Sequence, residues 1–180
     1  MGQYYKVVFL EGDIILTWLC GYRYFSGVKL MEHSYIHDAM IKTVEQLISP
    51  NGMYYKTQLV WAGDYAEPED STDKTLFEMV DERPDIETIN SYEQDCYYRY
   101  IVNHTLKVYV DKDNSLNKIK NLYGSIIHPL PILLAESGSG GGGDYRGNNE
   151  HLCGTWARNF ISVETTVLEG YTELVPNFYE

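Results

Sequence analysis

Apolar and polar positions recur with two different periods along this chain, and the change of period marks its parts. "QYYKVVFL" and "IILTWLC" are runs of β-branched and aromatic residues separated by Glu11-Gly12-Asp13, which predicts a hairpin with a short glycine-containing turn. "YRYFSGVKLM" continues in extended form, with a bend at Gly27. In "SYIHDAMIKTVEQLIS" the period lengthens. Ile36, Met40, Val44 and Leu47 follow one another at helical spacing, and Asp38, Lys42 and Glu45 fall on the opposite face. This predicts one main amphipathic helix over about 34–48, roughly four turns long. Ser34 is its expected N-cap, Asp38 lies in the positive first turn, and Ser49-Pro50-Asn51-Gly52 stops it.

Beyond the helix, "YYKTQLVWA" (54–62) predicts a strand, central because "LVWA" is apolar on both faces. "KTLFEMVDE" predicts a short helix, and "YYRYIVNHTLKVYVD" a second hairpin turning at Asn103-His104. "NSLNKIKNLYG" predicts another short helix ending at Gly124. Pro129 and Pro131 cannot donate to a ladder, so no central strand begins there before Ile132. "TWARNFISVE" predicts a last strand. Hairpins outnumber crossovers. The expected class is α+β, a largely antiparallel sheet with one main helix and short accessory helices, in a single domain spanning 1–180.

Composition and charge narrow the function classes. The 180 residues include 17 tyrosines, whose apolar rings and polar tips suit half-buried strands and wet pockets. Cys20, Cys96 and Cys153 form no CxxC pair, so neither a disulfide framework nor a structural zinc site is expected. No basic leader followed by a long apolar run opens the chain and no apolar run reaches membrane-span length, so the expected compartment is the cytoplasm, with no membrane partner. Net charge is −12, and the window 64–95 holds 12 acidic residues against Lys74 and Arg83. That field repels phosphate backbones and disfavours direct nucleic-acid binding, while it offers a face on which a basic protein could dock.

Candidate chemistry is sparse. Gly140 to Gly143 expose unshielded amides, yet neither GxxxxGK[ST] nor GxGxxG is present. Gly-Asp-Tyr occurs twice, at 63–65 and 143–145, and each copy would set a carboxylate beside an aromatic ring. Trp156 and Arg158 would share a strand face, a pairing suited to a planar anion. His33 and His37 lie four apart but lack the glutamate of HExxH, and the acidic loop lacks EF-hand spacing, so no metal site and no cofactor are expected. His128 is a candidate acid/base if it meets Asp144. No serine or cysteine stands in a nucleophile elbow.

Several blocks resemble a family of small uncharacterised proteins of bacteria and their phages: "MGQYY", "GVKLMEHSYI", "VWAGDYAEPE", "YRYIVNHTLKVYVD" and "HPLPILLAESGSGGGGDYRG". The resemblance spans most of the chain. It implies a cytoplasmic protein of bacterial or phage origin and transfers no catalytic residue.

Three functional readings stay open. The first is a non-catalytic binding protein for a small polar ligand, nucleotide-like ligands included, with Trp61, Asp64, Tyr65, Asp144, Tyr145, Arg146, Trp156 and Arg158 as its site. The second is a hydrolase or transferase using Asp64 and Asp144 with His128. The third is an acidic interaction protein or DNA mimic working through the 64–95 window.

Overall fold

A computed structural model describes residues 2–70, 72–83, 96–114, 126–136 and 145–178. The first hairpin forms as its pattern predicts. Strand β1 (Tyr5–Glu11) turns through Gly12, whose φ of +59° is left-handed, into β2 (Ile14–Cys20). A 3-10 turn (Gly21–Tyr24) and helix α1 (Leu30–His33) follow, so "YRYFSGVKLM" is coiled rather than extended.

The main helix, α2, runs Ala39–Leu47. It is shorter than 34–48 because the chain around Ser34 is used otherwise. The Ser34 hydroxyl donates to the Leu30 carbonyl, its own carbonyl accepts from His128 N–H, and Tyr35 bridges Ile127. Asp38 is therefore the N-cap, accepting from the Met40 and Ile41 amides at 2.9 and 3.2 Å.

Next come β3 (Thr57–Gly63), a one-turn helix α3 (Leu76–Met79), β4 (Tyr100–Asn103) and β5 (Val108–Asp111). The second hairpin thus turns over 104–107. The proline segment is a helix, α4 (Pro129–Leu134), followed by β6 (Ala135–Glu136), β7 (Asn159–Glu164) and β8 (Thr172–Glu173). Pro129 and Pro131 lack the N–H groups that a first turn leaves unpaired, so the same residues that forbid a strand start a helix. The expected helix at 115–124 and the glycine run lie outside the described residues.

The strands form one eight-stranded sheet in the order β2-β1-β3-β7-β4-β5-β8, antiparallel except for the β5–β8 pair and for β6, which lies parallel to β3. This is the α+β class expected. Both sheet faces are covered where β1 and β3 run, which explains the unbroken apolar runs Val7–Leu10 and Leu59–Ala62. Val7, Phe9, Leu59 and Trp61 share a core with Met40, Ile41 and Val44 of α2 and Leu130 and Leu133 of α4. Val8, Leu10, Val60 and Ala62 face the other way, towards Leu76 and Val80. None of the helices among the described residues is long and apolar enough to cross a membrane.

Candidate functional site

α2 presents its solvent edge to the segment 96–98 that enters β4. Between them lies an open hollow of about 270 Å³. Ile36, His37, Lys42, Glu45 and Gln46 line it from one side, Cys96, Tyr97 and Tyr98 from the other, with Lys112 just beyond β5. Its wall carries a buried charge cluster. Lys112 Nζ donates to Glu45 Oε1, and His128 Nε2 donates to the same oxygen at 3.0 Å. The Lys112 side chain is 1% exposed and that of His128 is wholly buried.

The tautomer of His128 follows from the chain around it. With prolines at 129 and 131, Leu130 owns the amide in need of a cap, and it donates to His128 Nδ1 at 3.2 Å. Nδ1 is therefore the acceptor and Nε2 carries the proton offered to Glu45. Burial pushes the Glu45 carboxyl up, but the His128 hydrogen bond and the Lys112 charge outweigh it and hold the group below its ordinary range. Burial lowers the His128 pKa, against the pull of Glu45. The cluster is thus carboxylate, ammonium and neutral imidazole. Tyr97 closes over it, with Lys112 Nζ 4.7 Å from its ring centroid and its hydroxyl donating to Asp113 Oδ1 at 3.0 Å.

Four groups of the hollow have no side-chain partner among the described residues: Glu45 Oε2, Gln46 Oε1, the Lys42 ammonium and the His37 ring. Gln46 Oε1 is also shielded from solvent. A buried acceptor without a donor is costly, and one closed to water is equally closed to a ligand in the hollow.

A second polar chain crosses the sheet away from the hollow. Tyr171 OH lies 2.9 Å from His104 Nδ1, His104 Nε2 lies 2.8 Å from Ser162 Oγ, and Ser162 donates to Glu164 Oε1 at 2.7 Å. Tyr55 donates to that same oxygen at 2.9 Å. Although it holds a serine, a histidine and a carboxylate, its polarity is wrong for a nucleophile. The serine proton points to the carboxylate, and Ser162 is completely buried.

Comparison of the chain with protein-family models, curated proteins and solved structures gives no match. The chemistry of the hollow is therefore read from its own side chains.

Of the residues singled out in the sequence, Trp61, Tyr145 and Trp156 belong to one buried core. Trp61 and Trp156 are core side chains, 0% and 1% exposed, and out of a ligand's reach. Asp64 stitches a turn: its Oδ1 accepts from Tyr4 N–H at 3.0 Å. Tyr65 is exposed beside it. Tyr145 is buried edge-on against Phe178, with ring centroids 5.2 Å apart, while Arg146 is exposed. Asp144 lies outside the described residues, and with it the meeting of the two Gly-Asp-Tyr segments.

Trp156 and Arg158 do not share a strand face. They precede β7 in a turn where Arg158 has a left-handed φ of +63°, so Trp156 enters the core and Arg158 turns away. The Arg158 guanidinium is held by Glu136, at 2.9 Å from both Nε and Nη2, and by both oxygens of Glu69. It sits in a second hollow of about 330 Å³ edged by Glu67 and Asp70, with its donors already engaged by carboxylates.

His33 and His37 also part. The first is buried and the second lines the hollow. No cluster of three or more metal-ligating side chains occurs among the described residues.

Glu45 and Lys112 carried no site signal in the sequence. Helical spacing put Glu45 with the outward residues, yet it lies three and four positions from Ile48 and Ile41, both wholly buried. That spacing to two apolar residues is the trace a sequence reading could have followed.

Proposed function

We propose that this chain is a non-catalytic binding protein for a small polar ligand, held in the hollow between α2 and residues 96–98. The observation that supports it is the set of unengaged polar groups beside a pre-formed ion cluster. The Glu45–Lys112–His128 cluster fixes the wall through Glu45 Oε1, while Glu45 Oε2, the Lys42 ammonium and the His37 ring have no side-chain partner among the described residues. A concave surface with few convergent polar groups is the ordinary form of a small-molecule site, and about 270 Å³ falls just below the usual range of roughly 300–1,000 Å³. The ligand is accordingly small, and the reading no longer needs the Trp156–Arg158 platform on which a nucleotide-like ligand rested.

The reading is non-catalytic because both ring nitrogens of His128 are engaged and its ring is buried, which leaves the hydrolase or transferase alternative without its proton carrier. The block resemblance adds an origin in bacteria or their phages. Native mass spectrometry of the purified chain tests the proposal. A small bound molecule that disappears in Cys96→Trp, a side chain large enough to fill the hollow, is the expected result. No adduct, together with a Cys96 alkylation rate unmoved by a metabolite extract, overturns it.

A further inference from the structure

Strand β2 stands at one end of the sheet. Among the described residues no strand lies on its outer side, and the backbone groups of Ile14–Cys20 that point there have no partner. Such a row of N–H and C=O groups is a template for another strand, and proteins that keep it empty guard it with charge, proline or a bulge. β2 has a bulge at Leu16, which is skipped in the pairing with β1. It carries neither charge nor proline, and Thr17–Cys20 keep regular register.

Exposed apolar side chains gather along the same stretch. Ile14 is 60% exposed and Leu16 37%, and the turn after the strand adds Tyr22 at 73% and Phe25 at 99%. Phe25 also holds a left-handed φ of +57°, an outlier for a bulky side chain, and gains no burial from it. The rings of Tyr22 and Phe25 alone offer roughly 300 Å². Each side of a stable interface buries about 800 Å². The edge of a seven-residue strand with Ile14 and Leu16 supplies much of the remainder.

The charged flanks select the occupant. Glu11 and Asp13 precede the strand and Arg23 follows it, all three exposed. Antiparallel pairing with a second copy about a twofold axis near Trp18 sets Thr17 opposite Leu19 of that copy. It also brings the Asp13 end of each strand to the Arg23 end of the other. Parallel pairing would bring like charges together. We propose that β2 docks on β2 of a second copy in this antiparallel, twofold manner, joining two sheets into one. The surface uses none of the residues of the hollow and does not rest on the binding reading.

Sedimentation equilibrium of the full chain is expected to show a reversible dimer with a Kd below about 100 µM. Leu16→Lys, a guard charge at an exposed position, should weaken it tenfold or more and leave the melting temperature of the monomer unchanged. Arg23→Glu should weaken it too, and Asp13→Lys added to Arg23→Glu should restore it, because the flanks then meet with their signs exchanged. A readout that needs no variant is hydrogen exchange of the wild-type chain as its concentration rises. Amides within residues 14–20 should become protected, while those of β8 at the other end of the sheet stay unchanged. A chain that remains monomeric well above that concentration, a dimer indifferent to Leu16→Lys, or protection that arises elsewhere overturns the proposal. So does an extended segment of another protein seated on β2 of a chain that never pairs with itself.

Discussion

Trp61 Nε1 donates to His33 Nε2 at 3.0 Å, with both rings buried. The bond joins the central strand to α1 across 28 residues and holds the imidazole neutral. Burial lowers the His33 pKa to about 4, outweighing the pull of the Gly27 carbonyl and the Glu32 carboxylate.

A pH dependence follows. Between about 4 and the ordinary 6.5, the unfolded chain binds a proton at residue 33 that the folded chain refuses. Stability is therefore fully present above pH 6.5 and is lost as pH falls towards 4, by about 3 kcal/mol from this group. His128, also lowered, acts in the same direction. Urea unfolding at pH 7 and pH 4 measures the loss. His33→Gln, which keeps an acceptor for Trp61 without titrating, should flatten the slope; an unchanged slope refutes the assignment.

Trp61 is fully buried, and Trp61→Ala should cost about 3–5 kcal/mol, the usual range for deleting a large core aromatic. Chemical denaturation showing a loss below about 1 kcal/mol would mean that the site collapses around the gap.

Glu45→Ala strands the Lys112 ammonium in the interior. A loss of about 3–5 kcal/mol is expected, while the double replacement Glu45→Leu with Lys112→Met should recover most of it, because no charge is then left unpaired. A double-mutant cycle by denaturant unfolding decides. Additive losses would show that the pair is not coupled.

The acidic loop is not uniform. Glu67 and Asp70 are exposed, whereas Glu69 clamps Arg158. Reversing Glu67 and Asp70 to Lys should leave stability within about 0.5 kcal/mol. Glu69→Lys sets two cations together in a half-buried site and should cost about 1–2 kcal/mol. Equal melting temperatures for the two variants would contradict the clamp.

Gly63 has no room for a side chain: a Cβ there would lie 2.1 Å from Gln3 Nε2 and 2.5 Å from the Glu136 carbonyl. Gly63→Ala should destabilise by about 1–3 kcal/mol through overpacking, measured by thermal unfolding. A neutral result would show that β6 moves aside freely.

The chain's own periodicities determined much of the fold. The continuous apolar run Leu59–Ala62 announced β3 as an inner strand, because only a doubly covered strand can dispense with polar positions. The 3.6-residue period announced α2, and Gly12 announced the first turn. These are local properties, encoded by neighbours in sequence. What tertiary structure alone decided is which backbone groups are already taken and which polar side chains meet. Ser34 is a good cap, but its carbonyl pairs with His128, so the helix waits for Asp38. Trp156 and Arg158 alternate as a strand pair would, but a left-handed turn sends them apart. Glu45, Lys112 and His128 come from a helix, a strand end and a helix cap 83 residues apart at the extremes, so no spacing links them. A charge can be buried only where its partner is brought by the fold, and the candidate site is made of such encounters.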